Sequence, residues 1–147
     1  MERDEVISTL NELIETSKDG EEGFRACADN VESPALKAFF EQKAARCREG
    51  AMQLQALVRE MGGEPVQGGS MSGAMHRFWL KLKSSITGMD DHAILDECER
   101  GEDVAKDSYA DALRQDLPVE VRRVVENQYR EVVANHDRVK ELRNTMA

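Results

Sequence analysis

The sequence predicts an all-α protein: an antiparallel four-helix bundle whose two helical hairpins are joined by a long crossover containing a short fifth helix. Three observations predict it. Apolar residues recur at threes and fours along four long stretches, the helical period. Two short turns, Asn30-Val31-Glu32-Ser33 and Gln115-Asp116-Leu117-Pro118, separate those stretches in pairs. The chain also repeats itself: Asp19-Gly20-Glu21-Glu22-Gly23-Phe24, continuing to Cys27-Ala28-Asp29, matches Arg100-Gly101-Glu102-Asp103-Val104-Ala105, continuing to Tyr109-Ala110-Asp111. Each copy precedes a second amphipathic helix with a matching Glu, Glu41 or Glu126. Two hairpins related this way predict an approximate dyad. Scarce aromatics (5%) and little β-branched alternation disfavour a sheet.

The first helix is expected over Asp4 to Ala28. Its stripe is Val6, Ile7, Leu10, Leu13, Ile14, Ser17, Glu21, Phe24, Cys27 and Ala28. Gly20 and Gly23 weaken it, since Gly costs up to about 1 kcal/mol against Ala, so they are read as allowing close packing. Ser33 is a good N-cap and Pro34 a good first residue for the second helix, which runs to about Glu60. Leu36, Phe39, Phe40, Lys43 or Ala44, Cys47, Ala51, Leu54, Leu57 and Val58 face inward, and Met61-Gly62-Gly63 ends it. The connection from Gly62 begins with Gly and Pro punctuation, and Met71 to Ile86 then regains a stripe through Met75, Phe78 and Leu82, with Trp79 alongside. A bare loop of this length is uncommon, so a short helix along the bundle is expected. The third long helix starts near Asp90 or Asp91, with Ile94, Leu95, Cys98, Glu102, Ala105, Tyr109, Ala112 and Leu113 inward. The fourth runs from Pro118 to about Asn144, with Val121, Val125, Gln128 or Tyr129, Val132, His136, Val139 and Leu142 inward.

Short turns make the helices of each pair antiparallel, and the crossover can return the chain along the whole bundle. That connectivity is ferritin-like. A single domain, 1–147, is expected, with hairpins 4–61 and 91–144 joined by crossover 62–90.

The net charge of -9 argues against nucleic acid as a partner and against docking on an anionic membrane. No apolar run is long enough to span a bilayer. The start Met1-Glu2-Arg3-Asp4-Glu5 lacks a basic segment followed by an apolar one, so no secretory signal is read there. Cys27, Cys47 and Cys98 are odd in number, widely spaced and on apolar faces. They are expected to be small buried hydrophobes in a reducing cytoplasm rather than a disulfide or zinc framework.

Val6 to Glu15, Asp19 to Phe24, Leu95 to Asp103 and Asn135-His136-Asp137-Arg138-Val139 together resemble an uncharacterised bacterial family of ferritin-like bundles, over nearly the whole chain. The family is a domain of unknown function, at times linked to stress response. The resemblance implies the fold and a stress-related role.

The wider ferritin-like group often binds two metal ions through a Glu from two helices and Glu-x-x-His from the other two. Here the matching positions read Glu41-Gln42-Lys43-Ala44 and Glu126-Asn127-Gln128-Tyr129, without the His, and His136 follows Val133 rather than Glu at that spacing. Glu21 and Glu102 are nevertheless placed inward by the repeat, and a buried carboxylate needs a partner. A structural pairing is expected: Glu21 with Lys43, and Glu102 with His136 or Tyr129. The competing role is metal binding by Glu21, Glu22, Glu102, Asp103 and His136, with iron or another divalent ion as the cofactor. Glu41 and Glu126 are expected as surface charge, and His76 and His92 as exposed or capping residues.

No Gly-x-Ser-x-Gly nucleophile and no phosphate loop occurs. Arg77, Lys81 and Lys83 beside Trp79 form a basic patch, read as the wet face of the crossover helix or a docking surface for an acidic face of a second copy. The leading expectation is a non-catalytic, self-associating protein, a dimer. The alternative is a non-haem di-metal oxidase or iron-handling protein.

Overall fold

A computed structural model describes residues 1–67 and 73–145. Within them the long helices are α1 (Arg3–Asn30), α2 (Pro34–Glu60), α4 (Asp91–Leu113) and α5 (Val119–Thr145), with a short α3 (Ala74–Lys83) and a 3-10 turn (Ile86–Gly88) in the crossover. The all-α bundle with a crossover helix is as expected, and the boundaries agree to within a few residues. Met71, the expected start of the crossover stripe, lies outside the described residues.

The helix ends carry their expected caps. The Leu36 amide donates to Ser33 Oγ at 3.3 Å ahead of Pro34, and the Ala93 amide donates to Asp90 Oδ1 at 2.8 Å. After α2 the chain turns at Gly62, whose φ of 78° suits a residue without Cβ.

Contacts at the two ends establish the connectivity. The Asp91 carboxylate, at the start of α4, accepts from the Glu32 and Ser33 amides at 2.8 and 3.0 Å, so it secures the first hairpin turn. At the other end Thr9 Oγ1 donates to Gln115 Oε1 at 2.8 Å, and Arg3 donates to the Met61 carbonyl at 2.6 Å. The end of α2 therefore sits beside the start of α1, and the start of α4 beside the end of α1. The crossover must travel the length of the bundle between them.

The apolar stripes bury into two separate clusters. One gathers Val6, Leu10, Ile14, Leu54, Val58 and Val125 near the second hairpin turn; the other gathers Phe24, Phe40, Trp79, Ile94, Leu95 and Val139 near the first. Fully burying such side chains stabilises by about 1.5–3 kcal/mol each.

Trp79 departs from the expected exposed patch: it is 4% exposed and belongs to the core. Its seat explains a glycine of the repeat. A Cβ on Gly23 would lie 2.1 Å from the Trp79 ring, so α1 admits the indole only where a side chain is missing. The tilted Phe24 ring and the edge-on Phe78 ring complete the packing. Of the basic residues beside it, Lys83 reaches Glu22 at 4.0 Å.

Candidate functional site

Between the two apolar clusters the bundle interior turns polar, because the middle turns of the helices carry Ser17, Glu102 and Gln128 on their inward faces. These groups need partners once removed from water. Tyr109 Oη donates to Gln128 Oε1 at 2.7 Å and lies 3.3 Å from Ser17 Oγ. Gln128 Nε2 donates to the Gly50 carbonyl at 3.1 Å and to Gln53 Oε1 at 2.9 Å. One chain of hydrogen bonds thus links α1, α4, α5 and α2.

Beside this chain the hairpins part on the α2–α5 side, leaving a cleft of about 390 Å³. Phe24, Met75, Trp79 and Val132 supply apolar wall, and Glu102 and Asn135 supply polar groups. The basic residues lining it, Lys43, Arg46 and Arg138, come from α2 and α5. Arg46 is paired with Glu49 at 2.9 Å and with Glu131, and Arg138 with Glu141 at 3.0 Å. Lys43 makes no ion pair among the described residues; its ammonium stands 5.4 Å from the Phe39 ring.

Glu102 is the buried acid of this cleft, 4% exposed. Asn135 Nδ2 donates to its Oε1, and Cys98 Sγ lies 3.8 Å from the same oxygen. Burial pushes its carboxyl up to about 8, against the pull of those two hydrogen bonds and of Lys43. At neutral pH Glu102 therefore keeps its proton, and can donate as well as accept. Burial also pushes the Cys27 and Cys47 thiols up to about 12 and raises the Cys98 thiol and the Tyr109 phenol. Protonated thiols are poor nucleophiles and poor metal ligands. Cys27 and Cys98 are buried as expected, whereas Cys47 is only half-buried and lines the cleft.

The residues singled out from the sequence are brought together only in part. Glu21 is buried, 6% exposed, but it does not pair with Lys43. Its partners are on its own helix, Arg25 at 2.6 Å and Lys18 at 4.0 Å. Those i+4 and i−3 cations reach it without crossing the bundle. Glu102 does not pair with His136 or Tyr129 either; Asn135, one residue before His136, takes that place. His136 is buried against other acids of α4, with Nε2 at 2.8 Å from Asp103 and 3.8 Å from Glu99. Glu99 is in turn held by Arg143. Glu22, Glu41 and Glu126 are solvent-facing and bridge to Lys83, Lys37 and Arg122. His92 is exposed as expected.

His76 is different from its expected exposed state. Its Nδ1 lies 3.2 Å from Oδ1 of Asp19, a buried acid that sequence reasoning missed. Burial raises the Asp19 carboxyl and the His76 contact pulls it back. The pair ties α3 to α1. Only the adjacency of Asp19 to the repeat glycine hinted at its burial. Asn135 and Gln128 were likewise not expected to line a cleft.

The donor set does not fit a ferritin-like pair of metal ions, which needs carboxylates on all four helices and two imidazoles. The cleft offers Lys43, Cys47, Asn135 and Gln128 around the single acid Glu102, with Glu131 at the rim. Among the described residues, no group of three or more His, Cys, Asp or Glu side chains is arranged to hold an ion. No helix among them is long and apolar enough to cross a membrane.

A family model described as a domain of unknown function, DUF2383, matches residues 5–115. No curated protein matches the sequence. Among solved structures, the bacterioferritin-related protein from Bacteroides fragilis, a dodecameric thioferritin, is similar over 99% of this chain and 87% of its own, with a TM-score of 0.78 at 18% identity. At that identity the likeness shows a shared ferritin-like fold.

Proposed function

We propose that this chain, which belongs to the DUF2383 family, is a non-catalytic ferritin-like bundle that assembles with copies of itself as a dimer. The whole-length likeness to a protein that forms a dodecamer supports self-assembly, since most soluble oligomers are closed, symmetric assemblies of one chain. The cleft supports the non-catalytic part: the thiols stay protonated, and Glu102, the buried acid of the cleft, is held neutral beside an amide. The stress-related role follows from family resemblance, and a cytoplasmic location from the cysteine usage. Light scattering on protein at micromolar concentration tests assembly. A homo-oligomer is expected, and a strict monomer overturns the proposal.

One contact favours the second reading, a protein that binds iron or another divalent ion. His136 and Asp103, both in the expected ligand set, meet at 2.8 Å with Glu99 nearby. Glu99 would have to release Arg143 to join them. Anaerobic Fe(II) titration followed by air separates the two readings: stoichiometric binding with an oxo-bridged absorption band supports the metal role and removes the non-catalytic one.

A further inference from the structure

We propose that the cleft between α2 and α5 is a binding site for a small organic monoanion with an apolar body, a medium-chain carboxylate. Its volume of about 390 Å³ is ample for such a molecule, and lies within the span of small-molecule pockets. Its wall draws on both apolar clusters, Phe24, Met75 and Trp79 from one and Tyr109 and Val132 from the other.

Charge and hydrogen bonding select the class. In a chain of net charge -9, this cleft is lined by three basic residues, Lys43, Arg46 and Arg138, against two acids, Glu102 and Glu131. The two arginines are already paired with Glu131, Glu49 and Glu141, which leaves Lys43 as the cation with its charge to spare. Such a lining repels a metal ion and attracts a single negative charge. Two residues of the wall also hold buried polar atoms without a hydrogen-bond partner among the described residues: Trp79 Nε1, a donor that a carboxylate can satisfy, and Asn135 Oδ1, an acceptor that it cannot. Orphaned groups of this kind are rare in a folded interior and mark a place where a ligand or water completes the structure. Protonated Glu102 adds a donor for a carboxylate, and its burial keeps that proton in place at neutral pH. Phe24, Met75 and Val132 receive the apolar body.

Trp79 is the chain's single tryptophan and lines the cleft, so its emission reports occupancy directly. The test is titration of the full chain with decanoate below its micellar range, compared with decan-1-ol, while light scattering follows the mass. A saturable shift at one decanoate per chain, unchanged mass and weaker binding of the alcohol are expected. Lys43→Met should weaken decanoate by about tenfold and leave decan-1-ol unaffected. Lys43 is half-exposed, so the fold should tolerate the change; the comparison of decanoate with its alcohol in the wild-type chain needs no variant. Absence of a saturable response, more than one ligand per chain, equal affinity for the alcohol, or a response that tracks a change in assembly mass would each overturn the proposal.

Discussion

Glu102→Gln isolates the buried acid of the cleft. The carboxyl has an ordinary value of 4.5 and is raised to about 8 in the fold, chiefly by burial. A group whose folded pKa lies above its unfolded one binds its proton more tightly when folded. Its contribution is therefore favourable below about pH 4.5, and stability falls as pH rises until it levels off above about 8. At about 1.4 kcal/mol per tenfold change, the loss is about 3.5 kcal/mol at neutral pH and about 5 kcal/mol at the plateau. Gln is nearly isosteric, keeps an oxygen for Asn135 Nδ2, and cannot ionise. The variant should be close to wild type at about pH 5 and more stable by several kcal/mol at about pH 9. Glu15 and Asp19 are raised too, but both remain in the variant, so the difference between the two proteins reads Glu102 alone. Urea unfolding followed by circular dichroism across that range measures it. A difference that stays constant with pH would refute the reasoning. A wild type that instead gains on the variant as pH rises would show that Glu102 is ionised and held by a cation.

The other predictions concern the layers around it. Gly23→Ala should destabilise by on the order of 1–3 kcal/mol because its Cβ meets the Trp79 ring, with a red-shifted emission; in an open helix the same change stabilises by up to about 1 kcal/mol, so a rise in melting temperature would show that the indole is seated elsewhere. Tyr109→Phe leaves Gln128 Oε1 without its donor and should cost about 1–3 kcal/mol by urea unfolding, with no such loss if that network is open to water. Cys27 and Cys98 should react with an aromatic disulfide reagent only as fast as the chain unfolds, with Cys47 quicker because it lines the cleft; equal, rapid reaction of all three would show an opened bundle.

The likeness to a ferritin-like protein over the whole chain and the pattern of buried residues agree with what the helical period alone predicts. Val6, Leu10, Leu13, Ile14 and Phe24 face inward because threes and fours return a side chain to one face, and Ser33-Pro34 begins α2 because the cap and the fixed φ favour a helix start. Glu21 and Glu102 were legible as buried acids for the same reason: periodicity assigns a residue to a face whatever its chemistry. Their partners were not legible. Counting from a hairpin turn gives the level at which two residues sit along the bundle, but not the rotation of each helix about its axis. One residue of rotation puts Asn135 rather than His136 against Glu102, and a cation four residues away on the same helix reaches Glu21 before Lys43 can.

The amino-acid order by itself determined the helices, their turns, the antiparallel pairing and the depth of the repeated acids, because each follows from contacts local in sequence or from a period. Tertiary structure decided where the hairpins part, which indole enters between them through the gap at Gly23, and why Glu102 holds its proton. Those outcomes depend on the spacing and rotation of helices far apart in the chain, and on the water their packing removes, which no stripe encodes.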